Sequence, residues 1–117
     1  MHKLNIKRIY ELASKDDGIR ILVDRLWPRG ISKVRAQLDF WDKDIAPTPE
    51  LRIWFGHKSE RFKEFTQKYK EELKQHYDEL YNIKKMLLKQ NVTLLYAAKD
   101  PKVNHAIVLK EIISNLK

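Results

Sequence analysis

The chain has no cysteine, which excludes disulfides, thiolate metal sites and cysteine nucleophiles. It has only three glycines, at 18, 30 and 56, too widely separated for a phosphate-cradling loop or a dinucleotide fingerprint. Its four histidines show no His-x-x-x-His or His-Glu-x-x-His spacing, so neither a metal nor a cofactor is expected. No stretch approaches the roughly 20 apolar residues of a membrane span. The opening octet, Met1 to Arg8, has no apolar core of signal-peptide kind, and the cytoplasm is the expected compartment.

What remains is the composition of an ordinary folded domain. The 117 residues are 43% hydrophobic and include three Trp, five Tyr and four Phe. That is enough for one core and too short for two, so residues 1–117 are read as a single domain. The net charge of +8 is unevenly spread. Residues 20–35 carry Arg20, Arg25, Arg29, Lys33 and Arg35 against Asp24 alone, whereas acids and bases interleave elsewhere, as in Lys68 to Lys74. Five bases beside one acid form a local positive field that attracts phosphate, carboxylate or a nucleic acid backbone.

The hydrophobic pattern predicts an α/β fold, a small and mainly parallel sheet with helices packed around it. Leu4 and Ile6 alternate with polar neighbours in a strand running to about Tyr10, and Ser14 to Gly18 is turn chemistry. Ile21-Leu22-Val23 reads as a strand covered on both faces, closed by Pro28 and Gly30. Short helical pieces are expected around 32–44 and 49–55, the second with Thr48 as N-cap, Pro49 at its first position and Gly56 closing it. Phe62, Phe65, Tyr69, Leu73 and Tyr77 define one face of a long helix that Ser59 can cap. A second helix with Leu80, Ile83 and Leu87 follows a break near Asp78, read as its N-cap, and ends at Asn91. Residues 92–98 form another buried strand. Asp100-Pro101 opens a last helix that buries Leu109, Ile112, Ile113 and Leu116. The helices between strands 20–24 and 92–98 suit a parallel crossover, while the direction of the first strand is left open.

Ligands of open parallel sheets bind beyond the carboxyl ends of the strands. The strand at 20–24 delivers Asp24, Arg25, Trp27 and Arg29 to such an end. The strand at 92–98 delivers Lys99, Asp100 and, from the next helix, His105. If the strands are neighbours, the two groups meet. Asp24, His57 and His105 are then candidates for proton transfer. Arg25, Arg29 and Lys99 are candidates for holding an anion, with Trp27 as an aromatic platform and Asp100 at a helix start. Each has a structural alternative: Asp24 paired with Arg25, Arg29 or Lys99, Trp27 packed under a turn, Asp100 as a cap, His105 as a hydrogen-bonded core residue.

The ordered segments Leu22 to Gly30, Trp54-Phe55-Gly56-His57, Leu94 to Asp100 and Asn104-His105-Ala106 together resemble the YeaO-like bacterial proteins, domain-of-unknown-function family 488. The resemblance runs from about Ile6 to Leu116 and marks the three motifs as signatures, without implying an activity. More distant members carry cysteines around the third motif, and this chain has none there. The residues therefore favour a pocket at the ends of strands 20–24 and 92–98 for a phosphate- or carboxylate-bearing small molecule, in a binding protein or an enzyme. The alternatives are a nucleic-acid-associated basic protein with Trp27 stacking, or an interaction domain without catalysis.

Overall fold

A computed structural model describes residues 2–117. Four strands, β1 (Leu4–Arg8), β2 (Ile19–Leu22), β3 (Phe40–Trp41) and β4 (Val92–Tyr96), form one sheet in the order β1-β4-β2-β3. All pairings are parallel, which settles the direction of the first strand. Five α-helices accompany them: α1 (Lys33–Ala36), α2 (Pro49–Phe55), α3 (Phe62–Leu73), α4 (Tyr77–Met86) and α5 (His105–Asn115). Among the described residues, no helix is long and apolar enough to cross a membrane.

The two-residue period of the central strands assigns their faces. Ile21 and Val23 on the β2 side, with Leu94 and Tyr96 of β4, point into the larger core built with α2, α3, α4 and α5. Leu22 and Leu95, paired in register, point the other way with Ile9, Ile31 and Ala36. Tyr10 and Trp27 from the loops and Trp41 from β3 cover that second, smaller core. Both central strands are thus buried on both sides, which is why their sequences are unbroken apolar runs. Each fully buried Leu or Ile here contributes on the order of 2 kcal/mol.

Several local expectations need correction. No helix spans 32–44: α1 covers only residues 33–36, with Gln37 in the left-handed region at φ 47°, and the chain then adds the edge strand β3. Phe40 and Trp41 carry too short a pattern to be read as a strand. Ser59 does not cap α3 but begins a 3-10 turn, and α3 starts at Phe62 behind an uncapped Arg61. The break before α4 is a 3-10 turn at 74–76, leaving Asp78 inside the first helical turn instead of capping it. Asn91 lies beyond α4, which ends at Met86, and its side-chain amide donates to the Asp16 carbonyl at 3.0 Å. Leu109 and Ile113 of α5 are buried as expected, whereas Ile112 and Leu116 are only half-buried and Ala106 and Val108 complete the buried face. The caps at Thr48 and Gly56, with Pro49 in the first turn of α2, form as expected.

The basic run 20–35 is also not a continuous surface. Arg20 is only 4% exposed; its guanidinium meets Asp17 at 2.5 Å and donates to the Ala36 carbonyl at 2.7 Å. Asp17 receives Lys7 at 2.8 Å on its other oxygen and the Ser14 amide at 3.0 Å. Burial raises the Asp17 pKa, but these donors outweigh it and hold the carboxyl below its ordinary value. Beside this cluster Gly18 has φ 63°, and a Cβ there would collide with the Asn91 carbonyl, so only glycine fits.

One acidic contact works against the fold. Burial, and then the Glu79 carboxylate beside it, push Asp42 from 3.8 up to about 6. Glu79 leaves its Oε2 buried without a hydrogen-bond donor. The folded state therefore binds this proton more tightly than the unfolded chain, and stability falls as pH rises through the window from 3.8 to about 6. Asp42→Asn is expected to remove that part of the pH dependence and to raise the urea midpoint above the window. An unchanged pH slope in the variant would contradict this assignment.

Candidate functional site

A cleft of about 650 Å³ opens at the carboxyl ends of β2 and β4. Because the two strands pair in parallel, with Ile21 opposite Leu94 and Leu22 opposite Leu95, the loops that leave them emerge side by side. Residues 24–29 form one wall and residues 97–100 the next, while α2 and its following loop supply Arg52, Phe55 and His57. Asp24, Arg25, Trp27, Arg29, His57, Lys99, Asp100 and His105 all line it. The geometry nevertheless divides them into two groups.

The first group is occupied by the protein itself. Asp24 Oδ2 accepts the Ala97 amide at 2.9 Å, and Oδ1 lies 3.0 Å from His105 Nε2. The same Nε2 is 2.9 Å from the Val23 carbonyl. With only acceptors around it, Nε2 must carry the proton, so the tautomer is fixed by its neighbours. Asp24 is thus paired with His105, not with Arg25, Arg29 or Lys99. The contact joins the end of β2, the loop after β4 and the first turn of α5.

Arg25 donates to the carbonyls of Pro47 and Ala46 at 3.2 and 3.1 Å, which fixes the loop before α2 against the loop after β2. Trp27 donates from Nε1 to the Ile31 carbonyl at 2.6 Å and meets Trp41 edge-on with ring centroids 5.3 Å apart. It packs under its turn while still presenting an edge to the cleft. Asp100 accepts the Lys102 and Val103 amides at 2.8 and 3.2 Å, capping a short turn. It does not cap α5: that is done by buried Asn104, whose Oδ1 accepts the Ile107 amide at 3.1 Å. Pro101 lies outside α5, since three residues, Lys102 to Asn104, intervene before His105.

The second group is uncommitted. Arg29, Arg52, His57 and Lys99 are exposed, line the cleft and have no carboxylate within ion-pair distance among the described residues. His57 holds a left-handed backbone, φ 57°, directly after the left-handed Gly56. For a residue with a Cβ this costs on the order of 1 kcal/mol. Among the described residues no three His, Asp or Glu side chains converge so as to hold a metal ion.

Arg52 is the lining residue that the sequence reading missed. Its signal was available: in a helix from Pro49 to Phe55, residue 52 shares a face with Phe55, one turn before the Gly56-His57 motif. Phe65 and Tyr69 lie deeper, and their contribution was legible only as a core stripe. Tyr69 is fully buried, and burial, then the charges of Glu72, Asp24 and Asp42, push its phenol well above the ordinary value. It stays a neutral donor to the Ile45 carbonyl, with its ring edge-on to His105 at 6.2 Å.

Asp24 and His105 should therefore behave as one structural unit. Asp24→Ala and His105→Ala are each expected to lower unfolding free energy, and the double variant to lose less than their sum. The coupling should be about 1 kcal/mol or more in urea unfolding. Strict additivity would mean that the two side chains do not stabilise each other.

Residues 3–116 match the sequence profile described as the inactive DUF488-N3 subclade. The chain is 45% identical over 113 residues to the Escherichia coli (strain K12) protein "Uncharacterized protein YeaO", covering 97% of this chain and 98% of that one. It is 40% identical over 114 residues to "Uncharacterized protein Rv3073c" of Mycobacterium tuberculosis, covering 96% of this chain and 94% of the relative. No solved structure matches the chain. On the full-length profile match and the 45% identity, the chain belongs to the YeaO-like DUF488 family.

Proposed function

We propose that this protein binds a small phosphate- or carboxylate-bearing molecule in the cleft at the ends of β2 and β4, and that it does so without catalysing a reaction. The observation that carries this reading is the division of charge. Four basic or potentially basic groups, Arg29, Arg52, His57 and Lys99, line the cleft without acidic partners, while Asp100 caps a turn and Asp24 faces the protein, its Oδ2 on the Ala97 amide and its Oδ1 beside His105 without a hydrogen bond of its own. Unpaired cations around a concavity favour an anion, and Arg29 and Arg52 have the planar fork suited to two oxygens of one group.

The same division argues for binding over catalysis. Asp24 and His105, the strongest candidates for acid and base, are engaged in holding the strand ends together. The subclade's description as inactive agrees with that. A nucleic acid partner has less support, because Arg20 is buried and Arg25 is spent on backbone carbonyls. The run 20–35 thus offers no continuous basic face to a phosphate backbone.

Titration of the protein with inorganic phosphate at low ionic strength, followed by amide chemical shifts, tests the reading. Shifts should concentrate at residues 25–29, 52–57 and 98–100. Arg29→Ala combined with Lys99→Ala should weaken binding by at least about tenfold, the loss of one to two charge-assisted contacts, and added salt should weaken it further. Phosphate that shifts no amide of the cleft would overturn the proposal.

A further inference from the structure

The cleft is far larger than an inorganic anion needs. A water molecule accounts for about 30 Å³ of liquid, so the 650 Å³ here is the scale of an organic ligand. The polarity of the lining is layered. The cations are exposed at the rim, whereas the interior is walled by Phe55 and Phe65, 5% and 1% exposed, and by Ala46, Pro47, Ala97 and Ala98. Phe55 and Phe65 stack at 4.3 Å between centroids with planes 22° apart, and Trp27 also lines the cleft. Leu26, an apolar side chain 62% exposed, completes the rim. Apolar surface of this kind gains from covering by carbon, and rings pack well against rings.

We infer that the ligand is an amphipathic organic anion, a flat apolar ring carrying a phosphate or carboxylate at one end. The inference rests on the anion-binding reading above and specifies the class of molecule. The ring enters toward Phe55 and Ala98, which pack in the same cluster, and the charged group stays at the mouth between Arg29, Arg52 and Lys99. Ala98 determines how much ring is admitted, since a larger side chain there occupies the interior. Sugar phosphates, with hydroxyls around the body, would leave those groups unpaired against carbon and are disfavoured.

Calorimetric titration with inorganic phosphate, butyl phosphate and phenyl phosphate tests this. Phenyl phosphate is expected to bind at least about tenfold more tightly than inorganic phosphate, and more tightly than butyl phosphate. Ala98→Leu should abolish that margin, so that phenyl phosphate and inorganic phosphate bind the variant with equal affinity. In the unmodified protein, ring protons of bound phenyl phosphate should show nuclear Overhauser contacts to the Ala98 methyl and the Phe55 ring, a readout independent of the variant's folding. Equal affinity for phenyl and inorganic phosphate, or bound phenyl phosphate without those contacts, overturns the inference and leaves the anion site standing. Tighter binding of butyl phosphate overturns the choice of a ring. No binding of any of the three overturns both readings.

Discussion

The cleft depends on one contact, the bridge that Asp24 makes from the end of β2 to the loop after β4. Parallel pairing brings the two strand ends to one edge, but it does not by itself hold the loops that leave them. Asp24 does so by accepting the Ala97 amide and facing His105 Nε2. Around this bridge the other polar contacts fall into place. Arg8 at the end of β1 donates to the carbonyls of Ala97 and Ala98. Trp41 on the edge strand donates to the Asp24 carbonyl at 2.7 Å, and Tyr10 to that of Arg29 at 2.9 Å. Every strand of the sheet thus contributes a side chain, or the residue just beyond it, to fixing one wall.

The far wall is fixed by equally specific means. Thr48 caps α2 and also donates to Glu72 of α3 at 2.6 Å, so the helix carrying Arg52 and Phe55 is anchored at its start. Arg25 then fastens the preceding loop to the sheet edge. Such prior fixation matters for a binding site, because loops already held in place lose little further freedom when a ligand arrives. The polar groups used for this work are not free for other contacts. Arg25 and Asp100 are thereby committed to the loops, whereas Arg29, Arg52, His57 and Lys99 remain without acidic partners in the cleft.

Much of this was legible in the sequence, for identifiable reasons. Ile21-Leu22-Val23 and Val92 to Tyr96 are apolar runs that only a doubly covered strand explains, and from two such strands the convergence of Asp24 with Lys99 and His105 follows. Thr48, Pro49 and Gly56 are local signals that act on the backbone within a few residues of themselves, so the sequence alone displays them. The failures have a common cause. Strand β3 is two residues long and exists only because β2 offers it an edge. In the sequence Arg20 has the pattern of a surface charge, because its burial depends on Asp17 and the Ala36 carbonyl, which a linear pattern does not bring together. Asp100-Pro101 has the local form of a cap for α5, whereas buried Asn104, four residues after Asp100, holds that position. Composition reveals how many charges a chain has, but three-dimensional pairing decides which remain free.

Whether the free cations of the cleft receive an anion is tested most directly by a crystal structure grown with tungstate, located by its anomalous scattering. An ordered tetrahedral anion is expected between Arg29 and Lys99, within reach of Arg52 and away from Asp24. Tungstate bound only at other surfaces, with Arg29 and Lys99 turned to solvent, would contradict this.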